Sequence, residues 1–275
     1  MKNFIKNITP PLFYALLKKH LVKQRVFSPE WVTLTYKPLN GIKIFFDPSG
    51  PWQKTIINNT YDTFLFDRLT SEDLRGKVIF DIGAHIGFHS LYFARLVGST
   101  GKVYSFEPNP KNVERFEIIC AKNDDIKNII NILGVAVSNV LGTEEFSMSD
   151  DIESGRSSGG FIDTADTIWE RGAFKQRGFK EIKVRTVPID LFKGELGIQE
   201  APDVMKIDVE GAESLVLAGA KNTILSKKPL ILMEIHSMLN MFNVVSFLTS
   251  ISYELKIIKE ETDGRCFIEA RYKNK

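Results

Sequence analysis

The sequence predicts an α/β fold built on a mostly parallel sheet, and two observations lead to this prediction. From about residue 77 onward, short β-rich runs alternate with segments of helical periodicity. Alternation of this kind requires crossover connections between parallel strands. The last two β-rich runs, Tyr253–Lys259 and Cys266–Tyr272, instead flank Asp263-Gly264, which is a strong hairpin signal. The hairpin predicts an antiparallel strand at one edge of the sheet.

The composition is that of an ordinary globular protein. Of 275 residues, 43% are hydrophobic, and the net charge is +2. This leaves enough apolar material for a sizeable core and lacks the basic excess typical of nucleic-acid binding. Cys120 and Cys266 are too few for a disulfide framework, so we expect free thiols in a reducing compartment. No run reaches the ~20 apolar residues of a membrane helix, and Pro10-Pro11 interrupts any signal-type run. We therefore expect a cytoplasmic protein.

The first 70 residues predict an extension ahead of a main domain at residues 71–275. Residues 1–25 are expected to be helical after Pro11. Leu12–Val22 alternates apolar and basic residues, which is typical of a packed helix and also suits peripheral contact with a membrane surface; we favour the packed helix. Periodicity predicts a hairpin and a second helix at Trp31–Tyr36, Ile42–Phe46 and Thr60–Leu69, in that order.

The sequence of the main domain predicts five strands before the hairpin, at Lys77–Asp81, Lys102–Phe106, Asn128–Val137, Val204–Val209 and Leu230–Ile235. An extra edge strand is predicted at Glu144–Met148. Helices are predicted up to about Val97, for about twelve residues from Pro110, and over Gly211–Lys221 and Ser237–Thr249. The glycine-rich stretch Asp150–Lys180 fits no element. Because long loops in compact domains are commonly functional, we interpret it as a substrate lid with three polar candidates, Arg156, Ser157 and Ser158.

The first of these strands runs into Asp81-Ile82-Gly83-Ala84-His85-Ile86-Gly87. Glycines allow a tight turn and a close approach of a ligand, and the helix that follows presents free N–H groups. A dinucleotide fingerprint needs a glycine where His85 stands, and Asp81 would repel a pyrophosphate. The turn therefore disfavours a nicotinamide dinucleotide and favours a cofactor with a cationic amino-acid end.

A single acid, Glu107, follows the second strand in the run Tyr104–Pro108. A carboxylate only accepts hydrogen bonds, which suits the two hydroxyls of a ribose at this position. The turn and this acid together predict a nucleoside-containing cofactor.

The fourth and fifth strands end in further ionisable residues, Asp208, Glu210, Glu213, Glu234 and His236. Glu213 opens a helix, where an acid favours the helix dipole. A neutral histidine is the usual general base near neutral pH. We therefore predict His236 as the base, with Asp208 or Glu210 as its orienting partner or as the alternative base. These groups could offer ligands to Mg²⁺, but no ligand spacing is diagnostic. The pair His85 and His89 also lacks a zinc-protease pattern, and no metal is predicted.

Taken together, these strand ends resemble those of the FkbM family of class I methyltransferases, and the resemblance extends from roughly Ile42 to the C terminus. The resemblance is carried by VIFDIGAHIG, YSFEP, GVAVS, VPIDL, VMKIDVEGAE and LILMEIH, at Val78–Gly87, Tyr104–Pro108, Gly134–Ser138, Val187–Leu191, Val204–Glu213 and Leu230–His236. It implies a Rossmann-like seven-stranded sheet with S-adenosylmethionine across its strand ends. It also implies O-methylation of a hydroxyl on a sugar, a polysaccharide or another natural product.

The resemblance further implies a set of cofactor-binding residues. Asp81 and Gly83 are expected near the methionine moiety, Glu107 on the ribose, and Val135 and Ala136 near the adenine. The remaining predicted contacts are Tyr61, Ala84, His85, Gly87, Pro108 and Asp208.

Other activities on the same fold stay open at this point. A nucleic-acid base methyltransferase usually carries an Asn/Asp-Pro-Pro-aromatic motif after the fourth strand, where this chain has Asp208-Val209-Glu210-Gly211. An N-methyltransferase and an inactive S-adenosylmethionine-binding protein remain alternatives. The expected partner is a small-molecule or glycan acceptor rather than a nucleic acid, and the sequence predicts neither its identity nor the oligomeric state.

Overall fold

The structure, a computed structural model, describes residues 28–149, 160–162, 179–261 and 264–273. The N-terminal helix predicted for residues 1–25, including Leu12–Val22, lies outside the described residues. So do Arg156, Ser157 and Ser158, and most of the segment interpreted as a lid.

The described residues form strands and helices that alternate over most of the chain. The strands are β1 (Glu30–Thr33), β2 (Lys43–Phe46), β3 (Val78–Ile82), β4 (Lys102–Phe106), β5 (Ile130–Leu133), β6 (Ala136–Val137), β7 (Gly142–Ser149), β8 (Gly160–Ile162), β9 (Phe179–Val187), β10 (Val204–Ile207), β11 (Leu230–Ile235), β12 (Tyr253–Glu260) and β13 (Cys266–Tyr272). The helices are α1 (Pro51–Ile57), α2 (Thr63–Thr70), α3 (Phe88–Val97), α4 (Pro110–Ala121), α5 (Phe192–Leu196), α6 (Glu213–Gly219), α7 (Lys221–Lys227) and α8 (Met238–Ser250), with a 3₁₀ turn at Ile189–Leu191.

The central sheet has seven strands in the order β5-β4-β3-β10-β11-β13-β12. Strands β5, β4, β3, β10 and β11 are parallel to one another, whereas β13 is antiparallel to both of its neighbours. The predicted mostly parallel α/β sheet is therefore confirmed. The antiparallel strand lies one position inside the edge, because β12 passes beyond it before the hairpin returns the chain beside β11.

A second sheet, in the order β6-β9-β7-β8, was not predicted. The single strand predicted at Asn128–Val137 is wrong, because the chain breaks near Gly134 and β6 leaves the central sheet to pair with β9. The edge strand predicted at Glu144–Met148 is longer and pairs with both β8 and β9. Parts of the stretch Asp150–Lys180 that was expected to lack elements therefore belong to strands.

The helices also differ from the prediction in four places, one of which is α5, a short helix that was not predicted. Helix α1 was missed, although Pro51 occupies a first-turn position that favours proline. The helix expected from Thr60 begins at Thr63, after Asp62 in a left-handed conformation. The helix expected over Gly211–Lys221 is two short helices, α6 and α7, which meet at Ala220.

Apolar residues of the central sheet alternate between its two faces, as the pleat of a strand requires. Ile79 and Val103 pack in a cluster that also holds Leu34 and Ile44 from the first 70 residues. Other core residues, such as Phe80 on the same strand as Ile79, pack in a second cluster on the opposite face. The boundary predicted near residue 70 stays a prediction. No helix among the described residues is long and apolar enough to span a membrane.

The fold brings the carboxyl ends of β3, β4, β10 and β11 to one edge of the sheet. The chain order reverses between β3 and β10, which are neighbours in space. Open α/β sheets bind ligands in the crevice at such a switch point. A ligand-binding site is therefore expected at this edge.

Candidate functional site

A cavity of about 540 Å³ opens at this edge of the sheet. Its size lies in the range of small-molecule and cofactor sites. Most of the predicted site residues line it, namely Tyr61, Gly83, Ala84, His85, Glu107, Pro108, Val135, Ala136, Asp208 and Glu210. Asp81, Gly87 and His236 do not appear in this lining and lie behind it.

The turn after β3 forms one side of the cavity and is fixed by its backbone. The N–H groups of Gly83 and Ala84 both donate to the carbonyl of Phe106, each at 3.0 Å. Gly83 has a φ of +82°, and a Cβ there would overlap the carbonyl oxygen of Asp208. His85 also has a positive φ, 54°, a conformation that histidine tolerates better than most residues. The turn therefore depends on glycine at position 83.

Gly87, the last residue of the turn, has a different role from the one predicted. A Cβ at this position would overlap the ring of Phe116. The glycine therefore allows α4 to pack closely behind the turn, and it does not line the cavity.

Glu107 joins the turn to the end of β4. One carboxylate oxygen accepts from the backbone N–H of His85 at 2.8 Å. The other accepts from the N–H of Asn109 at 2.9 Å and from the side chain of Asn112 at 3.1 Å. Burial raises the pKa of Glu107, and these donors oppose the rise. The carboxylate is thereby held at the cavity wall with acceptor capacity left for a diol.

The apolar end of the cavity is built from two sheets. Val135 and Ala136, which are predicted to lie near the adenine, line it at the junction of β5 and β6. Phe146, Phe161 and Ile162 of the second sheet complete it and were missed by the sequence analysis. The apolar pair after Gly160, flanked by Arg156-Ser157-Ser158-Gly159 and by Asp163-Thr164, was the signal that could have identified two of them.

Asp81 does not meet the expectation of a cofactor contact. Its side chain is fully buried, and one oxygen accepts from Ser90 at 2.5 Å, with Ser105 next to that hydroxyl. Its other oxygen lies 3.4 Å from the ammonium group of Lys206. By alternation along β3, Asp81 points into the protein rather than toward the cavity. It therefore acts through Lys206.

Lys206 is a site residue that the sequence analysis missed. It is almost fully buried, lines the cavity, and donates to the carbonyl of Gly83 at 3.0 Å. A lysine inside an apolar strand is a recognisable signal, because buried lysines are rare unless paired. Burial would lower its pKa, but the carboxylates of Asp208 and Asp81 outweigh burial and raise it. Lys206 therefore remains a cation at the switch point.

His236 lies at the centre of a group of acids. Its Nδ1 is 2.7 Å from Glu213, which is fully buried and also accepts the N–H of Gly211 at 2.9 Å. Its Nε2 lies 3.4 Å from Glu210 and 3.7 Å from both Asp208 and Glu234. The strand ends thus bring all the predicted acceptor-side residues together.

The charge state of His236 differs from the neutral form expected of a general base. Burial alone would lower the pKa of His236, but the bond to Glu213 and the nearby carboxylates raise it to about 10. The histidine therefore carries its proton at neutral pH in this arrangement. Together with its place behind the cavity wall, this argues against the predicted role of His236 as the proton acceptor.

The carboxylates of the cluster are tuned differently from one another. Burial raises the pKa of Asp208, but the charges of Lys206 and His236 outweigh burial and leave it below its usual value. Burial raises the pKa of Glu234 to about 8, even though Arg265 donates to it at 2.6 Å. Asp208 is therefore the more firmly ionised of the two.

Aromatic side chains close the cavity on the side of α1 and α2. The ring of Trp52 lies 5.8 Å from that of Tyr61 and 5.9 Å from that of His85. Burial raises the pKa of Tyr61 well above its usual value, so its hydroxyl stays protonated. His89 binds Asp62 at 3.1 Å and packs against Phe66, which gives it a role other than pairing with His85 at a metal.

Comparisons with known proteins find methyltransferases. The sequence profile of the FkbM methyltransferase domain matches residues 81–255. The hexuronic acid methyltransferase AglP of Haloferax volcanii is 26% identical over 195 residues, which cover 71% of each chain. The 2-O-methyltransferase NoeI of Sinorhizobium fredii is 30% identical over 150 residues, which cover 54% of this chain and 58% of the relative.

Solved structures similar to this chain are of low sequence identity. The methyltransferase FkbM from Methylobacillus flagellatus is 17% identical, with a TM-score of 0.48 over 70% of this chain and 43% of the other. Aeropyrum pernix fibrillarin, solved with S-adenosylmethionine, is 14% identical, with a TM-score of 0.47 over 90% of this chain and 85% of the other. Because the family profile spans well over half of the sequence, this chain belongs to the FkbM family of class I S-adenosylmethionine-dependent methyltransferases.

Proposed function

We propose that the protein transfers the methyl group of S-adenosylmethionine to a hydroxyl group of a sugar. The names of two relatives, a hexuronic acid methyltransferase and a 2-O-methyltransferase, support a sugar acceptor and transfer to oxygen. The expected cytoplasmic location and the role of the Asp150–Lys180 segment in acceptor selection are parts of this proposal. Gly160–Ile162, within that segment, line the cavity.

The donor set of the cavity fits this cofactor. Glu107 offers a carboxylate for the ribose hydroxyls, and Val135 and Ala136 offer an apolar surface for the adenine. The described lining residues include six carboxylates, those of Asp62, Glu107, Asp208, Glu210, Glu234 and Glu261, against three cations, Lys206, Lys259 and Arg265. Glu234, whose pKa is raised to about 8 by burial, adds little charge at neutral pH, but the other acids still outnumber the cations and favour a ligand with positive charge. When bound, S-adenosylmethionine supplies an electrophilic methyl group on a sulfonium.

The observation that carries the proposal is the ionised carboxylate of Asp208 on the cavity wall, beside the Gly83 turn. Its side chain is 26% exposed, whereas that of His236 is 2% exposed. Asp208 can therefore accept a hydrogen bond from an acceptor hydroxyl and take its proton as the new C–O bond forms and the C–S bond breaks. His236 and Lys206 hold this carboxylate in place, so we assign them as positioning residues.

An assay with labelled S-adenosylmethionine tests the proposal. The protein should bind the cofactor in a calorimetric titration and transfer the label to at least one member of a panel of neutral and uronic sugars. Asp208→Asn should retain cofactor binding and lower kcat by roughly 10²–10⁴-fold, the range attributed to a general base. Glu200→Gln, at a surface carboxylate that binds Lys102 and Tyr104, is the matched control and should keep full turnover.

The outcomes separate this proposal from its alternatives. Absence of cofactor binding contradicts it outright. Label recovered on an amine indicates an N-methyltransferase. Binding without transfer to any acceptor in the panel indicates a protein that binds the cofactor without catalysis.

A further inference from the structure

The two nitrogens of His236 have different surroundings. Nδ1 is held by the buried carboxylate of Glu213 at 2.7 Å. Nε2 is buried and has no hydrogen-bond partner among the described residues, although it points toward three carboxylates. His236 is only 5% exposed, so bulk water does not supply the missing partner. A buried nitrogen without a partner, aimed at several acids, fits an ion bound between them.

The distances at Nε2 favour a cation over a hydrogen bond. The nearest oxygen of Glu210 is 3.4 Å away, and those of Asp208 and Glu234 are both 3.7 Å away, all beyond the 2.7–3.2 Å of an N–H···O bond. Two atoms that bind one ion at about 2.1 Å lie about 3–4 Å from each other. The ligand atoms of Asp208, Glu234 and His236 all lie within 4.8 Å of one another. The separation therefore suits shared ligation.

The neighbours of this group hold it as metal ligands are usually held. A histidine that binds a metal almost always donates its other nitrogen to a carboxylate or a carbonyl, and Glu213 accepts from Nδ1 here. Arg265 binds Oε1 of Glu234 at 2.6 Å and orients that carboxylate. Lys206 lies 3.4 Å from Oδ2 of Asp208 and orients that carboxylate. The three side chains are thus held in place before any ion binds.

We propose that Asp208, Glu234 and His236 bind one divalent cation through two carboxylate oxygens and the Nε2 of the histidine, which releases its proton when the ion binds. One imidazole and two carboxylates suit a borderline first-row ion, because imidazole favours zinc and iron whereas carboxylates favour manganese and magnesium. Mn²⁺ matches the two carboxylates and is paramagnetic, so it is the probe of choice.

Cation binding is independent of the proposed methyl transfer. It is measured in the absence of S-adenosylmethionine and of any acceptor, so its failure leaves the methyltransferase proposal intact. Asp208 belongs to both proposals, and its variants cannot distinguish them. Glu234 and His236 provide the variants for this test.

Titration of the full-length protein with Mn²⁺, followed by electron paramagnetic resonance and calorimetry, tests the site. The wild-type protein should bind one equivalent in a saturable manner. Glu234→Gln and His236→Asn should each weaken binding by roughly tenfold or more. Glu261→Gln is the matched control, because it removes a carboxylate that lines the same cavity but pairs with Lys259. Its affinity for Mn²⁺ should be unchanged.

Three results overturn the proposal. The first is a wild-type protein that binds neither Mn²⁺ nor Zn²⁺ in a saturable manner. The second is binding that Glu234→Gln leaves intact. The third is an equal loss of affinity in Glu234→Gln and Glu261→Gln, which indicates diffuse attraction to acids rather than a site. If His236→Asn does not fold, Glu234→Gln decides the question, because its partner Arg265 is partly exposed and tolerates the loss.

Discussion

The ammonium group of Lys206 lies 3.4 Å from the carboxylate of Asp208. The same group is 3.4 Å from Asp81 on its buried side and 3.0 Å from the carbonyl of Gly83. One buried cation therefore connects the cofactor turn after β3 to the proposed proton acceptor after β10. Its two carboxylate partners keep it charged, since they raise its pKa against the effect of burial.

Replacement of Lys206 should destabilise the whole protein. Lys206→Met keeps the length of the side chain but leaves Asp81 without its cation in the interior. Loss of one partner of a buried ion pair typically costs about 3–5 kcal/mol, because the remaining charge is uncompensated. We expect a fall of about this size in the free energy of unfolding, measured by urea denaturation.

Lys102→Met is the matched control for this prediction. Lys102 also binds a carboxylate, that of Glu200 at 2.8 Å, but both side chains are exposed. Exposed ion pairs contribute little to stability, so this variant should unfold almost as the wild type does. Equal effects of the two substitutions would contradict the role assigned to Lys206.

The second prediction concerns Gly83. In Gly83→Ala the new methyl group would overlap the carbonyl oxygen of Asp208, and the backbone would keep a φ that alanine rarely adopts. The turn must move away from β10, which disrupts the proposed cofactor site. We expect affinity for S-adenosylmethionine to fall by roughly tenfold or more, equivalent to at least about 1.4 kcal/mol, in a calorimetric titration.

Gly197→Ala is the control that separates the effect of the overlap with Asp208 from the effect of the left-handed backbone conformation. Gly197 has a φ of +69°, yet no atom beyond its chain neighbours lies within 4 Å of the position that a Cβ would occupy. It should therefore lose about 1–2 kcal/mol of stability from the left-handed conformation alone and keep normal cofactor affinity. If both alanine variants bind the cofactor normally, the contact between the turn and Asp208 is unimportant.

The parts of the fold that the sequence predicted well are those defined by local signals. Strands β4, β11 and β13 have the predicted bounds, because glycine, proline or a hairpin turn punctuates each of them. Two acids, Glu107 directly after β4 and Asp208 directly after β10, were correctly expected at this edge of the sheet. A local pattern therefore locates a residue along a strand and at its end.

The parts that were predicted poorly depend on partners distant in the sequence. The run around Gly134 reads as one strand, and only pairing with β9, about 50 residues later, moves its second half into another sheet. The charge of His236, which follows β11, depends on Glu213 at the start of α6. Likewise, the burial of Asp81 depends on Lys206, whose position beside β3 follows from the sheet order. None of these relationships is encoded in a local pattern.

The third prediction concerns Glu107 and the ribose. Glu107→Gln keeps the shape of the side chain and one oxygen, but removes the negative charge and replaces an acceptor with a donor. Hydrogen bonds to charged groups contribute about 1.5–3 kcal/mol, so the dissociation constant for S-adenosylmethionine should rise by roughly 10–100-fold. KM for the cofactor should rise with it, whereas kcat should change much less, because the acceptor side is untouched.

A cofactor analogue without the ribose hydroxyls provides the control for this assignment. The wild-type protein should bind the analogue more weakly than S-adenosylmethionine. Glu107→Gln should discriminate much less between the two, because the partner of the hydroxyls has changed. Undiminished discrimination by the variant would show that other residues hold the ribose.

The last prediction is a pH dependence of stability that arises from His85. Burial, with the charge of Arg115 adding to it, lowers the pKa of His85 from its ordinary 6.5 to about 4. Between these two values the unfolded chain binds a proton at this residue and the folded chain does not. The free energy of unfolding should therefore decrease as the pH falls from 6.5 to 4, by at most about 1.4 kcal/mol per pH unit. Solvent in the cavity reduces this slope, because His85 is only half-buried there.

Asparagine tolerates the left-handed conformation of residue 85, so His85→Asn removes the titration while it keeps the backbone. Urea denaturation of both proteins without cofactor, at several pH values from 4 to 7, measures the difference between their slopes. The wild type should lose stability more steeply than the variant as the pH falls, and parallel curves would show that His85 does not resist protonation in the folded state.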